Sequence, residues 1–162
     1  MTTAEDGLRR VAELAGAECW LAVLVTTRPN GEPGVSLVNA GILPHPVTGE
    51  TVIAFVSRGR TAKLASLRAN PRATLVFRSG WEWIAATGQI ELAGPDDLLP
   101  GVADQAVPQL LRDIYAAAGG VHPDLHEYDR VMREDRRTAA LLRPDRFTTN
   151  PPGTGHKEPD HD

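Results

Sequence analysis

The residues best suited to chemistry lie together between Ser57 and Lys63. The order Ser-Arg-Gly-Arg-Thr-Ala-Lys supplies two hydroxyls, two guanidinium groups and an ammonium within one short segment. Guanidinium forks and hydroxyl donors suit phosphate oxygens. An apolar run precedes the segment and a helical pattern follows it, which places it between the end of a strand and the start of a helix. Because helix N-termini present unpaired N–H groups and a positive dipole end, the segment is predicted to bind phosphate or carboxylate.

Charge around this segment is distributed unevenly. The chain as a whole is acidic, with 17 Lys+Arg, 21 Asp+Glu and a net charge of -4. The stretch from Thr51 to Trp81 nevertheless has no Asp or Glu. Its cations are Arg58, Arg60, Lys63, Arg68, Arg72 and Arg78. This pattern indicates a local anion site, and the acidic pI of about 5.7 argues against general nucleic-acid binding. A solvated basic turn is the alternative interpretation, and it applies most directly to the last three arginines.

Other reactive residue types give weaker signals. The five histidines show no metal-ligand spacing, so no metal site is predicted. Neither Ser36 nor Ser57 has a nearby histidine, which leaves a hydrolytic triad unsupported. Cys19 is the single cysteine and begins an apolar run, so we predict a buried, inert thiol.

Two tryptophans stand out in a chain with only 5% aromatic residues. On a β-strand, Trp81 and Trp83 would point to the same face because side chains alternate with a period of two. Core filling is one interpretation of this pair. A stacking platform for a planar ligand is the other.

Hydrophobic periodicity and turn residues predict mainly antiparallel strands with a few helices. Asn30-Gly31 is a strong hairpin signal, and Gly88 is a predicted bulge. The predicted strands are residues 19–27, 35–42, 51–57, 72–78 and 81–93, and the predicted helices are residues 3–16, 61–70, 102–118 and 126–137. Residues 138–149 have both helical and strand propensity. Because hairpins dominate this order, an antiparallel barrel is favoured over a doubly wound parallel sheet.

The chain reads as one domain over residues 1–149, followed by a tail. Residues 150–162 are rich in proline, glycine and charge and lack apolar anchors, so they are predicted to be disordered. No signal peptide is visible, and no apolar run approaches the ~18 residues of a membrane span. We therefore expect a cytoplasmic protein that contacts neither membranes nor nucleic acid.

The order of motifs resembles the flavin-binding split β-barrel family, which includes pyridoxamine 5′-phosphate oxidase and actinobacterial enzymes that use the deazaflavin coenzyme F420. The resemblance covers roughly residues 10–147. It rests on FVSRGRTAKLASLRANPRATLVFRSG, on WEWIAATGQIEL and on DRRTAALLRPDRFTT as the closing strand. It implies an α+β fold that is mostly β with flanking helices, organised as an antiparallel split barrel. It also implies a homodimer with cofactor sites at the interface.

By position, the resemblance assigns each candidate residue a role. The Trp81/Trp83 strand would close the site from the partner subunit. Three residues of the second strand would line the ring system, and they are Val38, Asn39 and Ala40. Five residues would hold the cofactor phosphate, and they are Ser57, Arg58, Arg60, Thr61 and Lys63. No catalytic acid or base is assigned.

The implied activity is hydride transfer between F420 and an unsaturated or planar organic substrate. The SRGRTAK variant is closer to deazaflavin-using members, and the pyridoxamine phosphate-binding set near the C-terminus is absent. F420 carries more negative charge than FMN, so a cationic strip extending to Arg68 or Arg72 would suit it. An FMN-dependent oxidase or reductase and a non-catalytic flavin-binding protein are the alternatives. A haem-binding protein is a further alternative, with His45 or His126 as the axial ligand.

Overall fold

A computed structural model describes residues 3–151. The predicted disordered tail therefore lies outside the described residues, except for Asn150 and Pro151. The helices are α1 (Ala4–Ala17), α2 (Ala62–Ala69), α3 (Val107–Ala117) and α4 (Leu125–Glu134). The strands are β1 (Leu21–Thr27), β2 (Pro33–Pro44), β3 (Thr51–Ser57), β4 (Arg72–Ser79), β5 (Glu82–Ala93) and β6 (Thr138–Thr149). A short 3-10 turn, Asp104–Ala106, precedes α3.

The six strands form a closed barrel in the order β1-β2-β3-β6-β5-β4, and every neighbouring pair is antiparallel. This confirms the predicted fold class. The resemblance correctly made residues 138–149 a strand. β6 is the element that closes the barrel, because it pairs with both β3 and β5.

Two apolar cores hold the elements together. The first fills the barrel, where Phe55, Phe77 and Leu75 are fully buried and α1 contributes Val11 and Leu14. The second lies outside the barrel and joins the outer faces of β3, β5 and β6 to α3 and α4. Its buried members include Val52, Ala54, Leu110, Leu111, Ile114, Ala139 and Leu141. This second core fixes the two late helices beside the end of β3.

The first helix begins as its sequence predicts. The Thr3 Oγ1 atom accepts a hydrogen bond of 3.1 Å from the Asp6 N–H, which satisfies a free donor in the first turn. Among the described residues, no helix is both long and apolar enough to cross a membrane.

The prediction of a buried thiol at Cys19 is wrong. Cys19 is exposed and lies in the turn that joins α1 to β1, with φ at 55°. The turn is tight because the Trp20 N–H donates to the Ala15 carbonyl at 2.7 Å. The strand begins only at Leu21, so the apolar run starting at Cys19 is longer than the buried strand it contains.

The predicted bulge at Gly88 is present, since the pairing of β5 with β6 shifts register between Thr87 and Gly88. A Cβ atom at this position would lie 1.8 Å from the Arg143 carbonyl oxygen, which belongs to backbone and cannot rotate away. We expect Gly88→Ala to lower the free energy of unfolding by about 2 to 3 kcal/mol, as in overpacked cores. Urea unfolding followed by circular dichroism measures this change.

Gly16 provides the matched control. It lies in α1, and an added Cβ would have no neighbour within 4 Å. Gly16→Ala should stabilise the protein by about 0.5 to 1 kcal/mol, because alanine favours helix. Equal effects of the two substitutions would contradict the close packing at the bulge.

Candidate functional site

The cation-rich segment forms the turn between β3 and α2. Ser57 ends the strand, is 1% exposed, and its hydroxyl group donates to the Arg58 carbonyl at 3.1 Å. It also lies 3.3 Å from the Thr61 Oγ1 atom. Arg60 has φ at 58°, in the left-handed region that non-glycine residues seldom adopt. The turn therefore exposes Arg58 and Arg60 while the two hydroxyl groups stay within it.

The N-terminus of α2 is available to an anion. Thr61 is its N-cap residue, yet the Thr61 side chain makes no capping hydrogen bond. The first turn of α2 contains no acidic residue. Free N–H groups and the positive end of the helix dipole thus face the same region as the exposed arginines.

A second segment, residues 135–137 between α4 and β6, packs directly against the turn. The Gly59 N–H donates to the Asp135 carbonyl at 3.0 Å. A Cβ atom on Gly59 would lie 2.7 Å from both the Cβ and the carbonyl oxygen of Arg136, so glycine is needed for this close approach. Arg58 also forms an ion pair of 3.4 Å with Asp135. These contacts bring two charged residues, Asp135 and Arg136, to the site.

Lys63, in the first turn of α2, is a cation whose charge has little compensation. It is half-buried, and no carboxylate of residues 3–151 lies within the ion-pair distance of 4.0 Å. Burial, followed by the positive charge of Arg137, holds the pKa of Lys63 below its ordinary value. Lys63 and Arg137 are both positively charged and lie close together, and no carboxylate of the described residues pairs with Lys63. A bound anion would therefore stabilise this arrangement.

The closeness of Lys63 and Arg137 is testable by titration. We expect Arg137→Gln to raise the pKa of Lys63, but not to its full ordinary value, because burial remains the larger cause. NMR of the Lys63 side-chain ammonium between roughly pH 8 and 12 measures the change. Arg133→Gln is the control, since Arg133 is not among the causes of the shift. An unchanged pKa in Arg137→Gln would show that the two groups do not interact.

Several cavities adjoin the cations of the turn and of residues 136–137, and two of them are lined by candidate binding residues. The first has a volume of about 560 Å³. It is lined by Arg58, Gly59, Arg60, Thr61, Glu134, Asp135 and Arg136. The second, of about 250 Å³, lies between the outer face of the barrel and α3 and α4. Arg137 lines the second cavity, so the cations lie close to its wall.

The smaller cavity has aromatic and polar walls. Tyr115 and Tyr128 have ring centroids 5.0 Å apart, and Asn39 and Met132 also line the space. Burial, followed by the charge interaction with Tyr115, raises the pKa of Tyr128 to about 12. Its hydroxyl group stays protonated and donates to the Leu111 carbonyl at 3.1 Å. Such walls suit a flat ring with polar edges.

The predicted ring-lining residues of β2 divide into two groups. Asn39 is exposed and lines the smaller cavity, with its amide donating to the Cys19 carbonyl at 3.0 Å. Val38 and Ala40 are buried at 7% and 0% exposure inside the barrel. Only the backbone of these two residues can therefore face a ligand on the outer surface.

The tryptophans do not join this site within one chain. Trp81 lies in the turn between β4 and β5, so the prediction that both indoles share a strand face is wrong. Trp83 pairs with Arg78 at one end of β5, whereas Ala93 at the other end pairs with Ala139, next to the turn. At 3.3 Å per residue, the two ends are separated by about 30 Å.

Three arginines of the acid-free stretch have other partners. Arg68 makes two hydrogen bonds to Asp97, at 2.8 and 2.7 Å, and Arg72 makes two to Asp145, at 2.7 and 2.8 Å. Arg78 donates to the Gly80 carbonyl. The cationic strip expected to extend to Arg68 and Arg72 is therefore neutralised by these carboxylates.

The contribution of Asp135, Arg136 and Arg137 was not predicted from the sequence. Their only local signal is a run of charge directly before a strand. Its significance depends on the pairing of Ser57 with Thr138, which brings the start of β6 to the end of β3. That pairing joins residues 81 positions apart in the chain, and no local pattern encodes it.

The barrel, the cation-rich turn and the adjoining cavities define a closed antiparallel β-barrel with a candidate anion site. Residues 11–146 match the family described as pyridoxamine 5′-phosphate oxidase, and the chain belongs to this family. None of the curated proteins matches the chain.

Solved structures share the fold at low identity. An FMN-binding protein from Nostoc punctiforme related to pyridoxamine 5′-phosphate oxidase is 17% identical, with a TM-score of 0.59 over 92% of this chain and 84% of that one. An F420 reductase is 18% identical, with a TM-score of 0.54 over 80% and 89%. A protein of unknown function from Agrobacterium tumefaciens is 17% identical, with a TM-score of 0.58 over 81% of this chain but 51% of that one. Haem-binding proteins also have this fold.

Proposed function

We propose that this protein is an oxidoreductase that binds coenzyme F420 and transfers a hydride between it and an unsaturated or planar organic substrate. The observation that carries this proposal is the position of Lys63 next to Arg137, in the first turn of α2, with no carboxylate of residues 3–151 within 4.0 Å of it. An anionic group fits there because the cations and free N–H groups converge on one region. The similarity to an F420 reductase supports the proposal that this anionic group belongs to a deazaflavin.

The chain's own residues would bind and orient the cofactor. Arg58, Arg60 and Lys63 would contact the phosphate, with the N–H groups of α2 and the Thr61 hydroxyl group completing the cradle. Asn39 and the tyrosine-lined cavity would hold the ring and keep water away from it. The bound deazaflavin supplies the hydride chemistry.

FMN is the second candidate cofactor, and one observation favours it. The carboxylates paired with Arg68 and Arg72 leave a single compact anion site rather than a long cationic strip. One compact site is all that the FMN phosphate requires. The FMN-binding protein of the same fold is consistent with this alternative.

A turnover assay distinguishes an enzyme from a protein that only binds the cofactor. We expect the protein to accelerate anaerobic oxidation of reduced F420 by a quinone, enone or tetrapyrrole acceptor. Absorbance of oxidised F420 follows the reaction, and mixtures without acceptor or protein are the controls. Tight binding of F420 without acceleration for any acceptor class would identify a non-catalytic binding protein.

The burial and the contacts of His45 disfavour haem ligation by this residue. This residue is 3% exposed, and its Nδ1 atom accepts hydrogen bonds from the Val47 and Thr48 N–H groups at 3.1 and 3.2 Å. Its Nε2 atom lies 3.6 Å from a Glu91 carboxylate oxygen. The ring is therefore enclosed by neighbouring groups. His126 lies exposed in the first turn of α4.

We also propose a homodimer formed through the outer face of β1 and β2. Val35 and Leu37 are 65% and 66% exposed there, and their partners Val25 and Val23 are half-exposed on the same face. Val23 also pairs with Val76 of β4, which extends the apolar face across a third strand. An apolar sheet face of this kind is self-complementary and suits a second copy of the chain.

This dimer gives the tryptophans a role. Trp83 lies on the face that carries Val76, because β4 and β5 pair in register. A partner packed on that face could present its Trp83 strand to the cofactor site, which the distance along β5 prevents within one chain. We propose a cytoplasmic location, with which a single unpaired cysteine is consistent.

A further inference from the structure

One carboxylate lies among the cations of the candidate phosphate site. The Asp135 Oδ1 atom is 3.4 Å from Arg58 Nη2, and its Oδ2 atom accepts hydrogen bonds from Arg137 Nε and Nη2 at 3.2 and 3.0 Å. The Asp135 side chain is 22% exposed, so solvent screens it only partly. It is thus a fixed negative charge in contact with two cations of the site.

The other carboxylates near the site have different partners. Glu134 lines the same cavity, but its side chain is 63% exposed and pairs with Arg130 at 2.7 Å. Asp96 pairs with Arg136. Asp135 is therefore the carboxylate whose charge bears most directly on an anion bound at the turn.

We infer that Asp135 is a specificity-determining residue that disfavours a doubly charged phosphate and thereby favours a cofactor bearing a phosphodiester over one bearing a phosphomonoester. The inference rests on the proposed function. Asp135 would thereby distinguish F420, a phosphodiester, from FMN, a phosphomonoester.

The selectivity follows from the number of phosphate charges. A phosphomonoester loses its second proton near pH 6, so it carries two charges at pH 8, whereas a phosphodiester carries one. A carboxylate a few ångströms away repels each of these charges, which weakens binding about tenfold per charge at an intermediate effective dielectric. The repulsion is therefore about twice as large, in free energy, for the monoester.

Two probes that differ by one charge test the inference. FMN and the methyl ester of its phosphate have the same ring, and both are fluorescent. We expect Asp135→Asn to strengthen FMN binding at pH 8 by about tenfold more than it strengthens binding of the methyl ester. Asp135→Glu, which keeps the charge, should retain the selectivity of the unaltered protein.

One further variant serves as a control. Asp145→Asn removes a carboxylate paired with Arg72 at the far part of β6. It changes the net charge by the same amount as Asp135→Asn, and it should not change the ratio of the two affinities.

The result that would overturn the role of Asp135 differs from the result that would overturn the proposed function. If Asp135→Asn weakens both probes equally or leaves their ratio unchanged, Asp135 only orients Arg58 and Arg137, and the inference is overturned. If neither flavin nor F420 binds the unaltered protein, the proposed function is wrong and the inference falls with it. Thermal unfolding of each variant shows whether it is folded under the conditions of the titration.

Discussion

Replacing both Arg60 and Lys63 by alanine is expected to weaken F420 binding by about 100- to 20,000-fold. Each side chain would make a charge-assisted hydrogen bond to the phosphate, worth about 1.5 to 3 kcal/mol, and a factor of ten corresponds to about 1.4 kcal/mol. The fold should persist, because Arg60 is exposed and Lys63 has no carboxylate partner within 4.0 Å in residues 3–151. Fluorescence titration of the double variant measures the loss.

A second double variant provides the matched control. Arg68→Ala with Arg72→Ala removes the same two charges from the same acid-free stretch, but from arginines paired with Asp97 and Asp145. We expect F420 affinity to change by less than about threefold, because exposed ion pairs contribute little. Equal losses in both double variants would show that net charge, rather than the turn, governs binding.

Introducing two glutamates on the outer face of β2 should dissociate the dimer. Val35→Glu with Leu37→Glu places two charges per subunit in the proposed contact, and two-fold symmetry would bring four charges together. Because unpaired charges are costly to bury, we expect the dimer dissociation constant to rise at least about 100-fold. Light scattering should then give the monomer mass at micromolar concentration, and cofactor affinity should fall.

The control for this experiment uses exposed apolar residues elsewhere. Leu98 and Val121 are 84% and 89% exposed and lie outside the β1–β2 face. Leu98→Glu with Val121→Glu should leave the mass unchanged. A stable monomer for the unaltered protein, or a dimer that survives the β2 substitutions, would contradict the proposed interface.

Most strands could be predicted because their signals are local. Asn30-Gly31 gave the first hairpin, which closes with the Arg28 N–H donating to the Glu32 carbonyl at 2.8 Å. Gly88 predicted the bulge, where the pairing of β5 with β6 shifts register. Residues 138–149 could not be assigned from propensity, because barrel closure between β3 and β5 decides their structure. The resemblance supplied that information.

The candidate site was predicted only in part, for the same reason. Ser57 to Lys63 is contiguous, so its composition revealed a turn before a helix. The partners of Arg68 and Arg72 lie 29 and 73 residues away along the chain, so the sequence did not show that these charges are neutralised. Asp135 and Arg137 reach the turn through strand pairing, which a local pattern does not reveal.

The central claim is that the Arg58–Lys63 turn binds the phosphate of a flavin-type cofactor. Separate fluorescence titrations of the unaltered protein with F420 and with FMN test it most directly. We predict a dissociation constant for F420 below about 100 μM, or roughly 5.5 kcal/mol of binding free energy, and weaker binding of FMN. Failure of both cofactors to bind below that concentration would contradict it.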